Sequence, residues 1–223
     1  MEIERQKSRY YPKKGSNYYD LNTSLSEYLD EFKSQFIGKK ILDIGAGEVP
    51  FKDYYEGLSV KTCDIQNNSN NSIDYIIIPG EKLPFHNEAF DVIFLFDVLE
   101  HIENDLFFLS ECNRILSSGG LIVANIPFMY RFHEIPYDYR RYTPSGLKSI
   151  LDTSGFNLTE ARCTGSIYFV AQTFLLEHQV AINSYFKKAI FKIIIKLLKV
   201  INQRKDISSV SPFSFFCIAQ KQK

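Results

Sequence analysis

The chain has 223 residues with 26 basic and 26 acidic side chains, so its formal net charge is zero. This length suffices for one α/β domain with a sizeable core, and no linker rich in Pro, Gly or Ser divides it. The four cysteines are far apart and never form a CxxC pair, so the sequence suggests neither a zinc cage nor a disulfide framework. No segment resembles a signal peptide or a membrane span, so a cytoplasmic protein is predicted.

The first part of the chain, residues 1–37, is predicted to form a lid and a helix. Residues 1–20 are polar, basic and rich in tyrosine, as is typical of a tail or a lid. Apolar residues then recur at helical spacing between Asn22 and Phe36, and Gly38 supplies a stop. This periodicity predicts a helix before the first strand.

The stretch Ile41–Phe51 reads ILDIGAGEVPF, the pattern of a strand, a tight glycine turn and a helix start. Glycines at positions 45 and 47 would let the backbone pass close to a ligand, because a Cβ there would obstruct the approach or the turn. Asp43 stands at the carboxyl end of the strand, where open α/β sheets bind ligands. A dinucleotide-dependent oxidoreductase has a similar turn, but Pro50 occupies the place of its third glycine.

A second strand is predicted over Val60–Ile65, with Asp64 near its end. In a βαβ unit this position places an acid beside the glycine turn, where its carboxylate can accept hydrogen bonds from both ribose hydroxyls of a nucleotide. A weaker strand is predicted over Asp74–Ile78.

The segment Leu83–Asp105 reads LPFHNEAFDVIFLFDVLEHIEND. Its central run, Phe90–Phe96, is uninterrupted and apolar, as in a strand buried on both faces, and Asp97 follows it. A helix to about Leu116 and a Ser-Ser-Gly-Gly turn are predicted next. They lead into a fifth strand, LIVANIPF, which ends at Phe128.

The D-x-G-x-G turn, the LPF segment, the FDVI strand, the LEH step and the SGG turn, in this order, resemble the type 11 group of class I S-adenosylmethionine-dependent methyltransferases. The resemblance implies an α/β fold with a doubly wound, seven-stranded, mostly parallel, Rossmann-like sheet of strand order 3-2-1-4-5-7-6. It also implies S-adenosyl-L-methionine as the cofactor. The cofactor-binding residues that it implies are Asp43, Gly45, Ala46, Gly47, Asp64, Ile65, Glu81, Lys82, Leu83 and Asp97.

One position departs from the family pattern. The family usually has an acid four residues before the leucine of LPF, where it holds the adenine amino group, and here that position is Pro79. Glu81 or backbone groups are therefore predicted to take over the adenine contact.

Residues 129–142 form a long polar and aromatic loop before a helix with Thr143 as N-cap and Pro144 in its first turn. Long loops at this edge of a sheet usually have functions, so Tyr137, Asp138 and Arg141 are candidates for substrate binding. The spacing H-x-x-P-x-D-x-x-R is similar to that of methyltransferases of surface-polysaccharide and lipid-linked glycan pathways.

His133 and Asp97 are the candidates for a catalytic base, which a hydroxyl acceptor requires because an uncharged hydroxyl is a poor nucleophile. Asp97-x-x-Glu100-His101 also resembles the E-x-x-E-H motif by which some O-methyltransferases hold a divalent ion, with a later histidine as an additional ligand. That resemblance implies an alternative metal site at Asp97, Glu100, His101 and His133. In a third interpretation Glu100 and His101 only begin a helix, while His133 pairs with Asp138 in a lid.

A helical insertion is predicted over residues 164–209, between a core over 38–163 that binds the cofactor and a last strand within 210–223. Seven of the 26 basic residues, and no acid, lie between Asn183 and Lys205. The segment 183–202 is therefore predicted either to pack on the core with a solvated lysine stripe or to contact an anionic membrane peripherally. The rest of the chain carries net acid, which disfavours nucleic acid as a partner.

The sequence thus predicts a single domain over residues 1–223 that methylates a small-molecule, glycan or lipid-linked acceptor, with O-methylation favoured. The alternative is a non-catalytic, methyltransferase-like binding subunit at a membrane surface.

Overall fold

Seven strands form one sheet in the computed structural model, which describes residues 19–165, 167–180, 185–201 and 212–222. The strands are β1 Lys40–Ile44, β2 Ser59–Asp64, β3 Tyr75–Ile76, β4 Phe90–Phe96, β5 Leu116–Pro127, β6 Phe156–Thr164 and β7 Ser214–Lys221. Their order is β3-β2-β1-β4-β5-β7-β6, and only β7 runs antiparallel to its neighbours. The predicted fold class and strand order are confirmed.

Five α-helices and three short 3₁₀ helices connect the described strands. The α-helices are α1 Tyr19–Phe32, α2 Asp105–Ile115, α3 Pro144–Thr153, α4 Ile167–Val180 and α5 Tyr185–Ile201. The 3₁₀ helices are Lys33–Phe36, Lys52–Tyr55 and Leu99–His101. The predicted tail or lid before α1 lies almost wholly outside the described residues, as do positions 183, 184 and 202 of the predicted basic segment. No described helix is long and apolar enough to cross a membrane.

The sheet has a separate apolar core on each face, because successive side chains along a strand point to opposite sides. On one face Ile93 and Leu95 of β4 pack in a cluster that includes residues of α2 and α3. On the other face Phe94 and Phe96 of the same strand pack in a cluster with Leu29 of α1. The two cores fix the strands and therefore the positions of the side chains at their ends.

Two local predictions differ from the structure. The predicted helix after the glycine turn is only the 3₁₀ helix Lys52–Tyr55, whose Tyr54 is fully buried. The fifth strand begins at Leu116, so the predicted Ser-Ser-Gly-Gly turn lies within β5. There the pairing with β4 shifts register, which accommodates the additional residues as a bulge.

Candidate active site

The carboxyl ends of the parallel strands bring the predicted polar residues to one edge of the sheet. Asp43 lies in β1 and Asp64 ends β2, whereas Asp97 follows β4 and His133 follows β5. Because β1 lies between β2 and β4, the strand order reverses here. Ligands of open α/β sheets bind at such a switch point.

The glycine turn after β1 is held against β2. The N–H groups of Gly45 and Ala46 both donate to the carbonyl oxygen of Cys63, at 2.9 and 3.2 Å. Gly45 has a φ of +72°, and a Cβ there would lie 2.6 Å from Cγ2 of Val98. Gly47 also has a positive φ, but a Cβ there would meet no atom within 4 Å. Gly45 is thus required by packing, while Gly47 borders open space that a ligand can enter.

Asp64 fixes the other side of this turn. Its Oδ2 accepts a hydrogen bond from the N–H of Gly47 at 2.7 Å, and its Oδ1 accepts one from the N–H of Ile65 at 2.6 Å. Each oxygen keeps a further lone pair for a ligand. The Ile65 side chain is 58% exposed beside it, so a carboxylate and an apolar surface lie next to each other at the edge.

Asp43 is a buried carboxylate two positions before the glycine turn. Its side chain is 3% exposed, and its Oδ2 accepts a hydrogen bond from the Tyr55 hydroxyl at 2.5 Å. Burial raises the pKa of Asp43 to about 7, although the Tyr55 hydrogen bond opposes this shift. Burial likewise raises the pKa of Tyr55 well above its ordinary value. The predicted role of Asp43 in binding the cofactor stays a prediction.

The segment that is predicted to contact adenine, Glu81–Leu83, has one buried and two exposed side chains. Leu83 is 6% exposed; its N–H donates to Glu111 at 3.0 Å and its carbonyl accepts from Arg114 at 3.0 Å. Glu81 and Lys82 are exposed. Leu83 therefore anchors the segment, and the two preceding side chains are the ones that can turn towards a ligand.

Asp97 follows β4 with an unusual backbone conformation for a residue other than glycine, a φ of +58°. Its Oδ1 accepts a hydrogen bond from Asn125 Nδ2 at 2.5 Å, and its N–H donates to the Asn125 carbonyl at 2.8 Å. Asn125 is 2% exposed, and its Oδ1 accepts from Ser214 at 3.1 Å. A buried polar group thus holds the Asp97 carboxylate at the edge.

Glu100, His101 and His133 form a compact cluster at the same edge. The Nε2 atoms of the two histidines are 3.1 Å apart. Oε1 of Glu100, which is fully buried, lies 3.7 Å from His101 Nε2 and 3.8 Å from His133 Nε2. One ligand atom from each residue lies within 4.8 Å of the others, a spacing that can hold a metal ion. The predicted fourth ligand, Asp97, is not a member of this group.

The hydrogen bonds of the two rings constrain where their protons are. His101 Nδ1 is 2.8 Å from the carbonyl oxygen of Tyr137, and His133 Nδ1 is 3.3 Å from that of Arg131. A carbonyl oxygen only accepts, so both Nδ1 atoms donate and the neutral rings turn two Nε2 lone pairs towards each other. Beside the Glu100 carboxylate, this arrangement favours one positive charge between the rings: a shared proton or a metal ion.

Two predicted substrate residues, Asp138 and Arg141, contact each other, and Asp138 also contacts His133. Arg141 binds both carboxylate oxygens of Asp138, at 2.5 and 2.9 Å, and the Asp138 carboxylate accepts from the His133 N–H at 3.0 Å. Burial alone would raise the pKa of Asp138, but the hydrogen bonds from Arg141 and His133 outweigh it and lower the pKa to about 2. The Tyr137 ring is 62% exposed, so its predicted role in substrate binding stays a prediction.

Sequence reasoning missed three residues of the site. Tyr55 gives no sequence signal, because its contact with Asp43 depends on the 3₁₀ turn. Asn125 does give one, since it is a polar residue inside the apolar run LIVANIPF, and a buried amide requires partners. Ile78 is 61% exposed just after β3, near Ile65 at the end of β2.

Comparisons with known proteins agree with this geometry. Residues 42–124 match a family model described as a methyltransferase domain. The sarcosine/dimethylglycine N-methyltransferase of Aphanothece halophytica is 31% identical in an alignment of 126 positions, which covers 49% of this chain and 46% of that protein. The ubiquinone biosynthesis O-methyltransferase of Bartonella bacilliformis is 27% identical in an alignment of 157 positions, which covers 56% of this chain and 62% of that protein. The chain thus spans between 33% and 62% of the length of the first curated relatives that it matches.

Solved structures share the fold over nearly the whole chain. A methyltransferase from Archaeoglobus fulgidus, described as dependent on S-adenosylmethionine, superposes with a TM-score of 0.57 at 18% identity and covers 98% of both chains. The [4+2]-cyclase SpnF superposes with a TM-score of 0.63 at 14% identity, covering 95% of this chain and 85% of that one. These likenesses support the fold alone. The family match over residues 42–124 and the curated relatives support a class I methyltransferase of the type 11 group, a family whose cofactor is S-adenosylmethionine.

Proposed function

We propose that this protein transfers a methyl group from S-adenosylmethionine to an oxygen atom of a small-molecule, glycan or lipid-linked acceptor. The observation that carries the proposal is the convergence of Glu100, His101 and His133 at the same sheet edge as the glycine turn. An amine acceptor can attack without losing its proton first, whereas a hydroxyl benefits from a base or a metal ion. The cluster supplies one of these two devices.

The residues around the glycine turn fit the cofactor. Open space borders Gly47, and the Asp64 carboxylate beside it has lone pairs for the ribose hydroxyls. Ile65 and Ile78 expose apolar side chains that suit the faces of an adenine ring. When bound, the cofactor supplies a methyl group that is already activated by the positive charge on sulfur. The protein then has to align the acceptor and exclude water.

His133 is the proposed base, and its Nε2 is the proposed proton acceptor. Its Nδ1–H is oriented by the Arg131 carbonyl and by Asp138, so the lone pair is on Nε2, which faces Nε2 of His101 at 3.1 Å. The Glu100 carboxylate stabilises the positive charge that forms when the ring takes up a proton. Asp97, held by Asn125, stays the second candidate for a base and a candidate contact of the cofactor.

The same three residues support a second catalytic device, a divalent ion held by Glu100, His101 and His133. Two imidazole Nε2 atoms and one carboxylate are a frequent ligand set for such ions. A bound ion would lower the pKa of an acceptor hydroxyl directly, without a protein base. The ubiquinone biosynthesis O-methyltransferases among the relatives agree with an oxygen acceptor. A non-catalytic binding subunit finds no support in these comparisons.

Two measurements test the proposal. Calorimetric titration with S-adenosylmethionine should show saturable binding to the purified chain. Incubation with cofactor and extracts of cell-envelope glycans and lipids should form S-adenosylhomocysteine and add the mass of one methylene group to an acceptor. Binding without any product in extracts of lipids, glycans and small molecules would contradict the catalytic part. A product methylated on nitrogen would contradict the choice of oxygen.

A further inference from the structure

The segment Asn183–Lys205, which includes helix α5, is rich in positive charge. Seven of the 26 basic residues lie between Asn183 and Lys205, where there is no acidic residue, whereas all 26 acidic residues lie elsewhere. Lys192 and Lys196 are exposed on the helix. The described part of α5 therefore exposes positive charge, whereas the chain outside this segment carries net negative charge.

The same helix has two apolar sides. Ile195 is 6% exposed and faces inward, where α5 packs against α4. A second set of aliphatic residues recurs every three or four positions on the opposite side, which places them in one stripe. These side chains are between 38% and 74% exposed and are Ile190, Ile193, Ile194, Leu197 and Val200. The packing of α5 on the protein therefore leaves an aliphatic stripe in solvent, with lysines beside it.

We propose that this stripe of α5 docks on the surface of an anionic membrane. A stripe of isoleucine, leucine and valine bordered by lysine is typical of a helix that lies in the interface of a bilayer, with lysine stems reaching the headgroups. Protein–protein interfaces are instead depleted in lysine and enriched in aromatic residues and arginine, which disfavours a second copy or another protein as the occupant. The absence of acidic residues from the segment selects anionic over neutral lipid.

Helix α4, against which α5 packs, borders the loop that carries His133. A shallow crevice lined by Tyr130, Arg131, Thr173 and Phe174 joins α4 to the loop that carries His133. In that loop Phe132 is 78% and Ile135 is 76% exposed. Exposed apolar side chains are thus present both on the helical insertion and in the loop that carries His133. Their presence in both places favours a lipid-linked acceptor, an extension that rests on the proposed methyl transfer.

Vesicle flotation tests the docking without cofactor or acceptor, so its outcome does not depend on the proposed reaction. The full chain should float with vesicles that contain phosphatidylglycerol, and binding should weaken as salt rises. It should stay in solution with pure phosphatidylcholine. Because each lysine near such a surface contributes about five-fold in affinity, Lys192→Gln/Lys196→Gln should bind about thirty-fold more weakly.

Matched variants control this measurement. Lys39→Gln/Lys148→Gln removes the same charge from two exposed positions outside α5 and should leave binding unchanged. Leu197→Asn should weaken binding at every salt concentration, because it removes apolar burial rather than charge. Circular dichroism should show that all variants are folded. Equal flotation with neutral and anionic vesicles, or an equal loss in the Lys192/Lys196 and Lys39/Lys148 pairs, would overturn the proposal.

Discussion

The two halves of the candidate site are built differently. On the cofactor side, Gly47 and Asp64 are seventeen positions apart and are joined by a hydrogen bond from the Gly47 N–H to the Asp64 carboxylate, between neighbouring strand ends. On the acceptor side, His101 and His133 are thirty-two positions apart and meet only because a long loop folds back. The sheet therefore fixes the geometry of the cofactor side, whereas the geometry of the acceptor side depends on the loop.

The loop is held in place mainly by charged and polar contacts with the segment after β4. Arg140 forms an ion pair with Asp105, and its Nη2 donates to the carbonyl of Glu103 at 2.7 Å. The Tyr139 N–H donates to the Glu100 carbonyl at 2.9 Å. Substitutions on the cofactor side should therefore change the affinity for S-adenosylmethionine or the stability of the protein. Substitutions on the acceptor side should lower the rate of methyl transfer and leave that affinity unchanged.

The largest effect is expected on the acceptor side, for His133→Ala. Loss of a base or of a metal ligand should lower the turnover rate by about 10² to 10⁴-fold while the affinity for S-adenosylmethionine stays unchanged. Formation of S-adenosylhomocysteine with the identified acceptor measures the rate, and calorimetry measures the affinity. His86→Ala, at an exposed histidine outside the cluster, is the matched control.

The pH profile and the effect of a chelator distinguish the two proposed catalytic devices, a protein base and a bound divalent ion. If His133 is a base, high pH should partly restore the activity of His133→Ala, because hydroxide and the ionised acceptor replace the base. If the cluster holds a metal ion, a chelator should inactivate the parent enzyme. Activity that is indifferent to the substitution, to pH and to chelator would remove the cluster from the reaction.

On the cofactor side, Asp64→Ala should weaken the binding of S-adenosylmethionine by about 1.5 to 3 kcal/mol, or roughly ten- to a hundred-fold. The change removes charge-assisted hydrogen bonds to the ribose. Asp53→Ala, at an exposed acid in the following 3₁₀ helix, is the control for the loss of one negative charge. An unchanged affinity in calorimetric titration would take Asp64 out of the cofactor site.

The sequence predicts the cofactor side of the site better than the acceptor side, because the cofactor side is built from local motifs and the acceptor side from a long loop. The turn at Gly45 and the carboxylate of Asp64 lie in short motifs whose geometry is local, and the resemblance to a family added the strand order. The pairing of Asp138 with Arg141 could not be separated from a role in substrate binding, because both roles require the same polar side chains in a loop. The contact between Tyr55 and Asp43 depends on how the chain closes after the turn, which no periodicity specifies.

The two glycines of the turn, Gly45 and Gly47, should respond differently to substitution by alanine. Gly45→Ala should destabilise the protein by about 1 kcal/mol more than Gly47→Ala, because both strain a positive φ but only the first forces a Cβ against Val98. Gly47→Ala should instead weaken cofactor binding, since its Cβ would enter the open space beside the turn. Urea denaturation and calorimetry measure the two effects. Val98→Ala should remove part of the cost of Gly45→Ala; equal stability of the two single variants would contradict this explanation.

The smallest net effect is expected for Asp43→Asn, which should change the stability of the protein in a direction that depends on pH. Burial raises the pKa of Asp43 to about 7 in the folded protein, whereas an unfolded aspartate titrates near about 4. The folded state therefore retains a proton that the unfolded state has released, and the parent loses stability as pH rises from about 4 to about 7.

Asparagine does not titrate, so the variant does not lose stability as pH rises. Its buried amide group, however, lowers the free energy of unfolding by about 1 to 3 kcal/mol if it lacks a hydrogen-bond partner. The variant should be less stable than the parent near pH 5 and more stable by about 1 kcal/mol near pH 8, because by then the parent has lost the greater amount. Urea denaturation of both proteins at the two pH values measures the difference, and Asp53→Asn is the exposed control. A stability difference that does not change between pH 5 and pH 8 would mean that Asp43 titrates normally and that the turn does not bury its charge.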